Sequence, residues 1–223
     1  MNENELVFIE PATADAIPFT TSEIIAEYAE VSIDTISHLL RKHKSDFEEF
    51  GVLGFKIRKP PAGSKGGRPE KIYELNEEQA TLLITYLKNT PQVRAFKKEL
   101  VRQFYAMREE LTNRKIKRAS LKPVRRSMTD AIRDFVPDSP HKSMQYRNYT
   151  NLAYLTVTGM TAKAIRRSRG ASRNANAADF LTADELAEVE RASHHISVLI
   201  ESGLNYEQVK RILDQTNQFL MKK

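Results

Sequence analysis

Thr21-Ser-Glu-Ile-Ile-Ala-Glu-Tyr-Ala-Glu-Val-Ser-Ile-Asp-Thr-Ile-Ser-His-Leu-Leu-Arg-Lys42 is the stretch whose reading decides the fold. Ser22 precedes an apolar-periodic run and reads as the N-cap of a helix from Glu23 to about Ala29. A tight turn at Glu30-Val31 follows, and Ser32 caps a second helix reaching Lys42. Counted from Ser22 as the first position of a helix-turn-helix window, Ile25, Ala26, Ala29, Val31, Ile36 and Leu39 fall inward. Two helices crossing steeply need a small residue on the first and branched packing on the second. Ala26 and Ile36 meet those needs. Glu30 stands where many such motifs place Gly, which predicts a turn longer than the compact form. An ordinary helical hairpin shows the same periodicity, so this stretch alone leaves both open.

The next segment favours the helix-turn-helix. Val52–Arg58 and Lys71–Leu75 are short β-favourable runs. The chain between them, Lys59 to Glu70, is too rich in Gly and Pro for regular structure. Two strands joined by a basic loop make a wing, with Lys65 and Arg68 at its tip suited to phosphate or minor-groove contact. A solvated hairpin tip is the plainer reading of the same loop. Residues 1–18 read as an arm, in which Leu6-Val-Phe-Ile9 forms a strand added to the wing or to another subunit.

Downstream, Asn76-Glu-Glu-Gln79 has the form of a capping box opening a helix through about Lys88. Thr90-Pro91 starts another, with Thr as N-cap and Pro in the first helical position. Val93, Phe96, Leu100, Phe104, Met107 and Leu111 recur at three and four residues and draw one apolar stripe. Leu100, Phe104, Met107 and Leu111 also keep a short heptad-like seam, the candidate surface for oligomerisation. The expectation is that the first part packs on its own domain and the last turns self-associate. Residues 112–127 read as a basic linker, with Pro123 interrupting any helix. Residues 128–223 read as an all-α domain. Its helices cover Thr129–Phe135, His141–Val157, Met160–Arg169, a capping-box helix from Thr182 to about Glu201, and a last one from Asn205 to Leu220. The stripe Leu186, Val189, Ala192, Ile196, Leu199 is expected to face Val209, Ile212, Leu213 and Phe219 as a helical hairpin. The fold class is therefore mainly α with a small β-hairpin wing. A winged-helix-like domain over 19–111 leads through a long amphipathic helix to the all-α domain.

Composition narrows the function. The net charge is +6, the pI near 9.4, and there is no cysteine. A basic chain permits a polyanionic partner without demanding one. The five histidines stand in no zinc-ligand spacing, Gly63–Gly67 lacks the Lys-Ser/Thr of a phosphate loop, and no Gly-x-Ser-x-Gly elbow occurs. These features predict no enzyme, no cofactor and no metal. No apolar run is long enough for a membrane span and the start of the chain is acidic, so an intracellular, cytoplasmic protein is expected.

What remains is binding. Ser32, Asp34, Thr35, Ser37, His38, Arg41 and Lys42 are the candidates on the second helix for reaching a groove or a partner. Hydroxyl and His side chains reach base edges, and Arg and Lys hold phosphates. Arg125 and Arg126 in the basic run, and Arg166 and Arg167 further on, join them. Electrostatics cuts the other way. Glu23, Glu27, Glu30 and Asp34 surround the second helix and repel DNA, whose phosphates dominate affinity. Acidic helices suit a protein partner with a basic surface.

Several blocks together carry a resemblance. They are Thr21-Ser-Glu-Ile-Ile-Ala-Glu27, Arg41-Lys-His-Lys-Ser-Asp-Phe-Glu-Glu-Phe50, Tyr73-Glu-Leu-Asn-Glu-Glu-Gln-Ala-Thr-Leu-Leu-Ile-Thr-Tyr-Leu-Lys-Asn89 and Val93-Arg-Ala-Phe-Lys-Lys-Glu-Leu-Val-Arg-Gln-Phe-Tyr105. As a set they resemble the Rha family of phage regulatory proteins over about residues 20 to 108. Residues 128–170 resemble the C-terminal domain of phage antirepressors. The resemblance implies a prophage protein in a bacterial host, acting at the switch between lysogeny and lysis. Within that setting, the acidic start, the seam at Leu100 to Leu111 and the two-module layout lead first to an antirepressor, a dimer or tetramer that binds the phage repressor and blocks its operator binding. The alternative is a winged-helix regulator contacting double-stranded operator DNA directly. A structural oligomerisation module is a third reading.

Overall fold

The computed structural model describes residues 5–10, 13, 15–58 and 69–220, with side chains described as far as 215. The chain divides into two compact units. The first holds Met1–Glu10 and Ala16–Glu109; the second holds Pro11–Asp15 and Glu110–Lys223.

The first unit opens with a short strand, β1 (Phe19–Thr21), and continues into α1 (Ser22–Tyr28), α2 (Ile33–Lys42) and α3 (Lys44–Glu48). A hairpin follows, β2 (Gly54–Arg58) and β3 (Glu70–Asn76), then α4 (Glu77–Tyr86) and the start of α5 (Pro91–Phe135). The sheet order is β1-β3-β2, antiparallel throughout. Phe55 lies opposite Tyr73, and Thr20 opposite Leu75. Side chains alternate across a strand, so Tyr73 and Leu75 share the face turned to the helices and both are buried.

Local chemistry sets the helix ends. The N-cap of α1 is Thr21, one residue earlier than expected, and its hydroxyl accepts from the Ile24 N–H. The expected cap, Ser22, is drawn inward, where its buried hydroxyl accepts from the Tyr73 N–H at 2.9 Å. Ser32 caps α2, accepting from Thr35 N at 3.1 Å. Asn76 and Gln79 form the full capping box of α4. The turn between α1 and α2 is compact after all, because Glu30 itself adopts φ +53°. A non-Gly residue in that region crowds its Cβ against the backbone at a cost of about 1–2 kcal/mol. Packing of Ile25, Ala26 and Ala29 on α1 with Ile36 and Leu40 on α2, all buried, holds it there.

The apolar arm belongs to the same unit. Leu6 and Val7 are buried in its core, and Phe8 makes an antiparallel bridge with Phe19. The Leu6 N–H donates to Gln103 Oε1 at 2.7 Å. The run thus lies beside β1 rather than on the hairpin.

The second unit holds the rest of α5 with α6 (Lys142–Thr158), α7 (Ala162–Ser168), a short 3-10 turn (Ala177–Phe180), α8 (Ala183–Glu201) and α9 (Tyr206–Leu220). Here the sequence reading needs correction. Residues 112–127 are not a linker and Pro123 does not interrupt the helix: α5 runs unbroken through both, and takes in Thr129–Phe135 as well. A proline inside a helix costs about 3 kcal/mol. Leu121 before it and Met128 and Ile132 after it are fully buried in this unit, each contributing about 1.5–3 kcal/mol, so packing prevails over the local break. Pro123 itself is exposed, on the side where a helix best tolerates a distorted bond.

The expected pairing of α8 with α9 also changes. Leu186 and Val189 pack with Leu121, Tyr154 and Ile165. Ala192, Ile196 and Ile200 pack with Tyr149 and Leu152 of α6 as well as Val209 and Leu213 of α9. Ile212 turns outward. The side chain of Phe219 lies outside the described residues. The α8 stripe therefore serves four neighbouring helices, α5, α6, α7 and α9, and α6 is the principal one.

The architecture is mainly helical, with a small three-stranded sheet in the first unit and an all-α second unit. Among the described residues no helix is long and apolar enough to cross a membrane.

Candidate nucleic-acid interface

The exposed face of α2 follows from its periodicity. Ile36 and Leu40 point into the core, which turns Asp34, Thr35, His38, Arg41 and Lys42 to solvent. Ser32 lies exposed at the helix start, its hydroxyl 2.8 Å from that of Thr35. Arg41 and Lys42 sit in the last turn, where positive charge is favourable. Arg41 Nε donates to the Ser37 carbonyl at 3.1 Å. Asp34, Ser37 and Arg41 line one wall of a concavity of 480 Å³. Its other wall is the first part of β3 with the residue before it: Pro69, Glu70, Lys71 and Tyr73. Helix and hairpin thus form one surface. Lys71 Nζ lies 4.1 Å from the centre of the Phe55 ring, which fixes its stem along the strand. The expected tip residues Lys65 and Arg68 lie outside the described residues.

The acidic groups nearby are not all free. Arg58, at the end of β2, bonds Glu70 at 2.6 Å and also Glu23 of α1. The two carboxylates hold its pKa above the usual arginine value, the hydrogen bond to Glu70 being the largest single cause and that to Glu23 the next. Lys56, on the same strand face, pairs with Glu74 at 2.8 Å and Glu10 at 2.9 Å. Of the four acids weighed against DNA binding, Glu23 is therefore paired, sharing one guanidinium with Glu70, while Glu27, Glu30 and Asp34 are exposed without an ion pair among the described residues. Sequence spacing gave no signal for the Arg58 contact, whose partners lie 35 and 12 residues away.

The candidates elsewhere separate. Arg126 is exposed. Arg125 is turned inward: its guanidinium stacks 4.8 Å from the centre of the Tyr154 ring, and its Nε and Nη2 are buried. It is a partly buried packing residue, its guanidinium held against Tyr154. Arg114 and Arg118 of the supposed linker are largely buried as well, and paired, while Lys115 makes an exposed ion pair. Glu110 Oε1 accepts from Arg114 Nε at 2.8 Å and from the Ala183 N–H at 3.1 Å, and so ties α5 to the start of α8. Arg118 pairs with Asp179 at 2.7 Å, and Lys115 with Asp15 at 3.3 Å. Arg167 is exposed and Arg166 partly so.

The oligomerisation candidates are largely occupied. Leu100 and Phe104 are buried in the core of the first unit, with Met107 packed against it, and Leu111 is buried too. Of the two roles open to this stripe, packing within the chain accounts for them. The exposed apolar side chains on this part of α5 are instead Val101 and Tyr105. With Phe50 and Leu82 they line a second concavity, of 470 Å³, beside Glu77 and Glu78.

No curated protein matches the chain. Residues 20–109 run from β1 to the end of the first unit and contain α2, the hairpin and Arg58. They match the model of the family described as phage regulatory protein Rha.

Proposed function

We propose that this is a phage gene-regulatory protein whose first unit works as a winged helix, with α2 as reader and the β2–β3 hairpin as wing. The observation that carries this reading is the double ion pair of Arg58 to Glu23 and Glu70. It offsets one of the two negative charges of Glu23 and Glu70 beside α2 and leaves Arg41, Lys42 and Lys71 to meet phosphates. Thr35 and His38 then have the reach and chemistry for base edges. The antirepressor reading rests on the acidic start, the Leu100–Leu111 seam and the two-module layout; with Glu23 paired and the seam buried within the chain, two of those supports are weaker and direct DNA contact comes first. The test is fluorescence anisotropy with duplexes from the regulatory region of the phage. Arg41→Gln with Lys42→Gln should weaken binding at least tenfold and flatten its salt dependence by about two in log–log slope. Unchanged binding ends this reading.

The antirepressor reading keeps one specific support. The concavity of Phe50, Leu82, Val101 and Tyr105 beside the exposed Glu78, with Glu77 paired to Arg108, suits an apolar anchor on a basic protein partner such as the phage repressor. Operator occupancy by the repressor, measured with and without this protein, tests it: unchanged occupancy removes it.

A further inference from the structure

Charge is divided unevenly along the chain. Residues 110–223 hold 20 Lys and Arg against 12 Asp and Glu, while residues 1–109 hold 15 against 17. The excess is concentrated between Ser139 and Ala178, where seven Lys and Arg occur and no acid. Two of the seven are internal: Lys142 bonds Asp138 and the Arg133 carbonyl, and Arg169 bonds Glu185 and the Phe180 carbonyl. The other five, Arg147, Lys163, Arg166, Arg167 and Arg173, make no ion pair among the described residues.

The fold brings together α6 and α7, which carry four of the five. Asn151 Oδ1 accepts from the Ala162 N–H at 3.0 Å, which seats the first turn of α7 against α6. Arg147 lies one turn before Asn151 on the same face of α6. Lys163 follows Ala162 directly, and Arg167 lies one turn further on the same exposed face of α7. Gly170, at φ +66°, turns the chain onward toward Arg173. Helix-end electrostatics accounts for Arg166 and Arg167, which occupy the last turn of α7. It does not account for Lys163, which sits in the first turn, where α8 carries Asp184 and Glu185. A cluster of like charges with no counter-charge repels itself in the free protein and is relieved by a polyanion. Double-stranded DNA supplies closely spaced phosphates and needs no shaped pocket.

We infer that the α6–α7 face is a second DNA-contacting surface, one that grips the phosphate backbone without reading sequence. It is separate from the α2–hairpin surface and goes beyond the role assigned to it. The experiment uses the full chain with Arg147→Gln, Lys163→Gln and Arg167→Gln combined, and a random-sequence duplex titrated by anisotropy between 50 and 200 mM salt. The expected result is at least a tenfold loss of affinity at the lower salt and a log–log slope smaller by two to three. Any preference for an operator over the random duplex should persist. Arg173→Gln alone, in an exposed turn, should lose about one unit of slope. Lys210→Gln with Arg211→Gln, exposed cations on α9, should lose none. An unchanged slope in the triple variant, with its helical circular dichroism intact, overturns the inference while leaving the α2–hairpin reading untouched. Random-duplex binding that the triple variant loses, in a protein with no sequence preference at all, does the reverse. A wild-type protein that binds no duplex overturns both.

Discussion

Arg58, the last residue of β2, reaches across to Glu23 in the first turn of α1 while holding Glu70 on the neighbouring strand. One guanidinium thereby links hairpin to helix and sets the charge of the surface that α2 presents. If this is its role, Arg58→Gln frees two carboxylates as well as removing a cation. DNA affinity should fall by more than the loss of one phosphate contact, roughly tenfold or more at low salt. Adding Glu23→Gln and Glu70→Gln to the same chain should recover most of it. Anisotropy titrations of the single and triple variants check both points, and a triple variant as weak as the single contradicts the mechanism.

Glu30 carries the left-handed turn between α1 and α2. Gly adopts that conformation without the Cβ crowding that Glu suffers. Glu30→Gly should therefore stabilise the first unit by about 1 kcal/mol, and Glu30→Ala should give none of that gain. Urea denaturation of the two variants measures the difference.

Pro123 lies within a continuous helix and leaves the carbonyl one turn back without its usual donor. Pro123→Ala supplies that N–H and removes the ring. The second unit should gain roughly 1–2 kcal/mol, less than the full helix penalty because the unfolded chain also gains freedom. Thermal or denaturant unfolding reads this, and a loss of stability would show that the helix depends on the distortion.

Arg125 and Arg126 are adjacent in sequence and opposite in environment. Arg126→Ala should weaken DNA binding modestly and lower the salt slope by about one. Arg125→Met should leave DNA binding alone and keep or raise stability, since it replaces a buried charge on the Tyr154 ring with an apolar side chain of similar length. The reverse pattern would put Arg125 back on the surface.

Asp46 accepts a hydrogen bond from the Tyr86 hydroxyl at 3.1 Å, the main reason its pKa lies below the ordinary Asp value, with Ser45 and His43 adding to it. A lowered native pKa stabilises the fold above the unfolded value of 3.8, and that contribution disappears as the pH falls through the native value. Tyr86→Phe should lower stability in the neutral region, leave it almost unchanged once the pH is below the native Asp46 value, and so flatten the acid limb below about pH 4. A titration of unfolding free energy against pH shows which holds.

Much of the fold could be read locally. Ser32, the Asn76/Gln79 box and the Thr182/Glu185 box each place a helix start because the cap chemistry lies within four residues. What failed depends on contacts far apart in the chain. β1 is three residues long and exists through its pairing with Leu75 and its neighbours, so no periodicity announces it. Pro123 reads as a break because propensity is local, while Leu121, Met128 and Ile132 act through the packed unit. The site was legible at α2 and at the hairpin strands. Its electrostatics was not, because Glu23 and Arg58 meet only after folding. Arg125 and Arg126 carry the same charge in sequence and only the helix phase tells them apart.

The most direct test of the central claim is anisotropy of the full-length protein with tiled duplexes from the regulatory region of the phage, at low and moderate salt. The same titrations are repeated for His38→Ala with Arg41→Gln. The account predicts one or a few duplexes bound selectively at moderate salt, with the selectivity lost in the variant. Equal binding to every duplex, or selectivity that survives the variant, would contradict α2 as the reader.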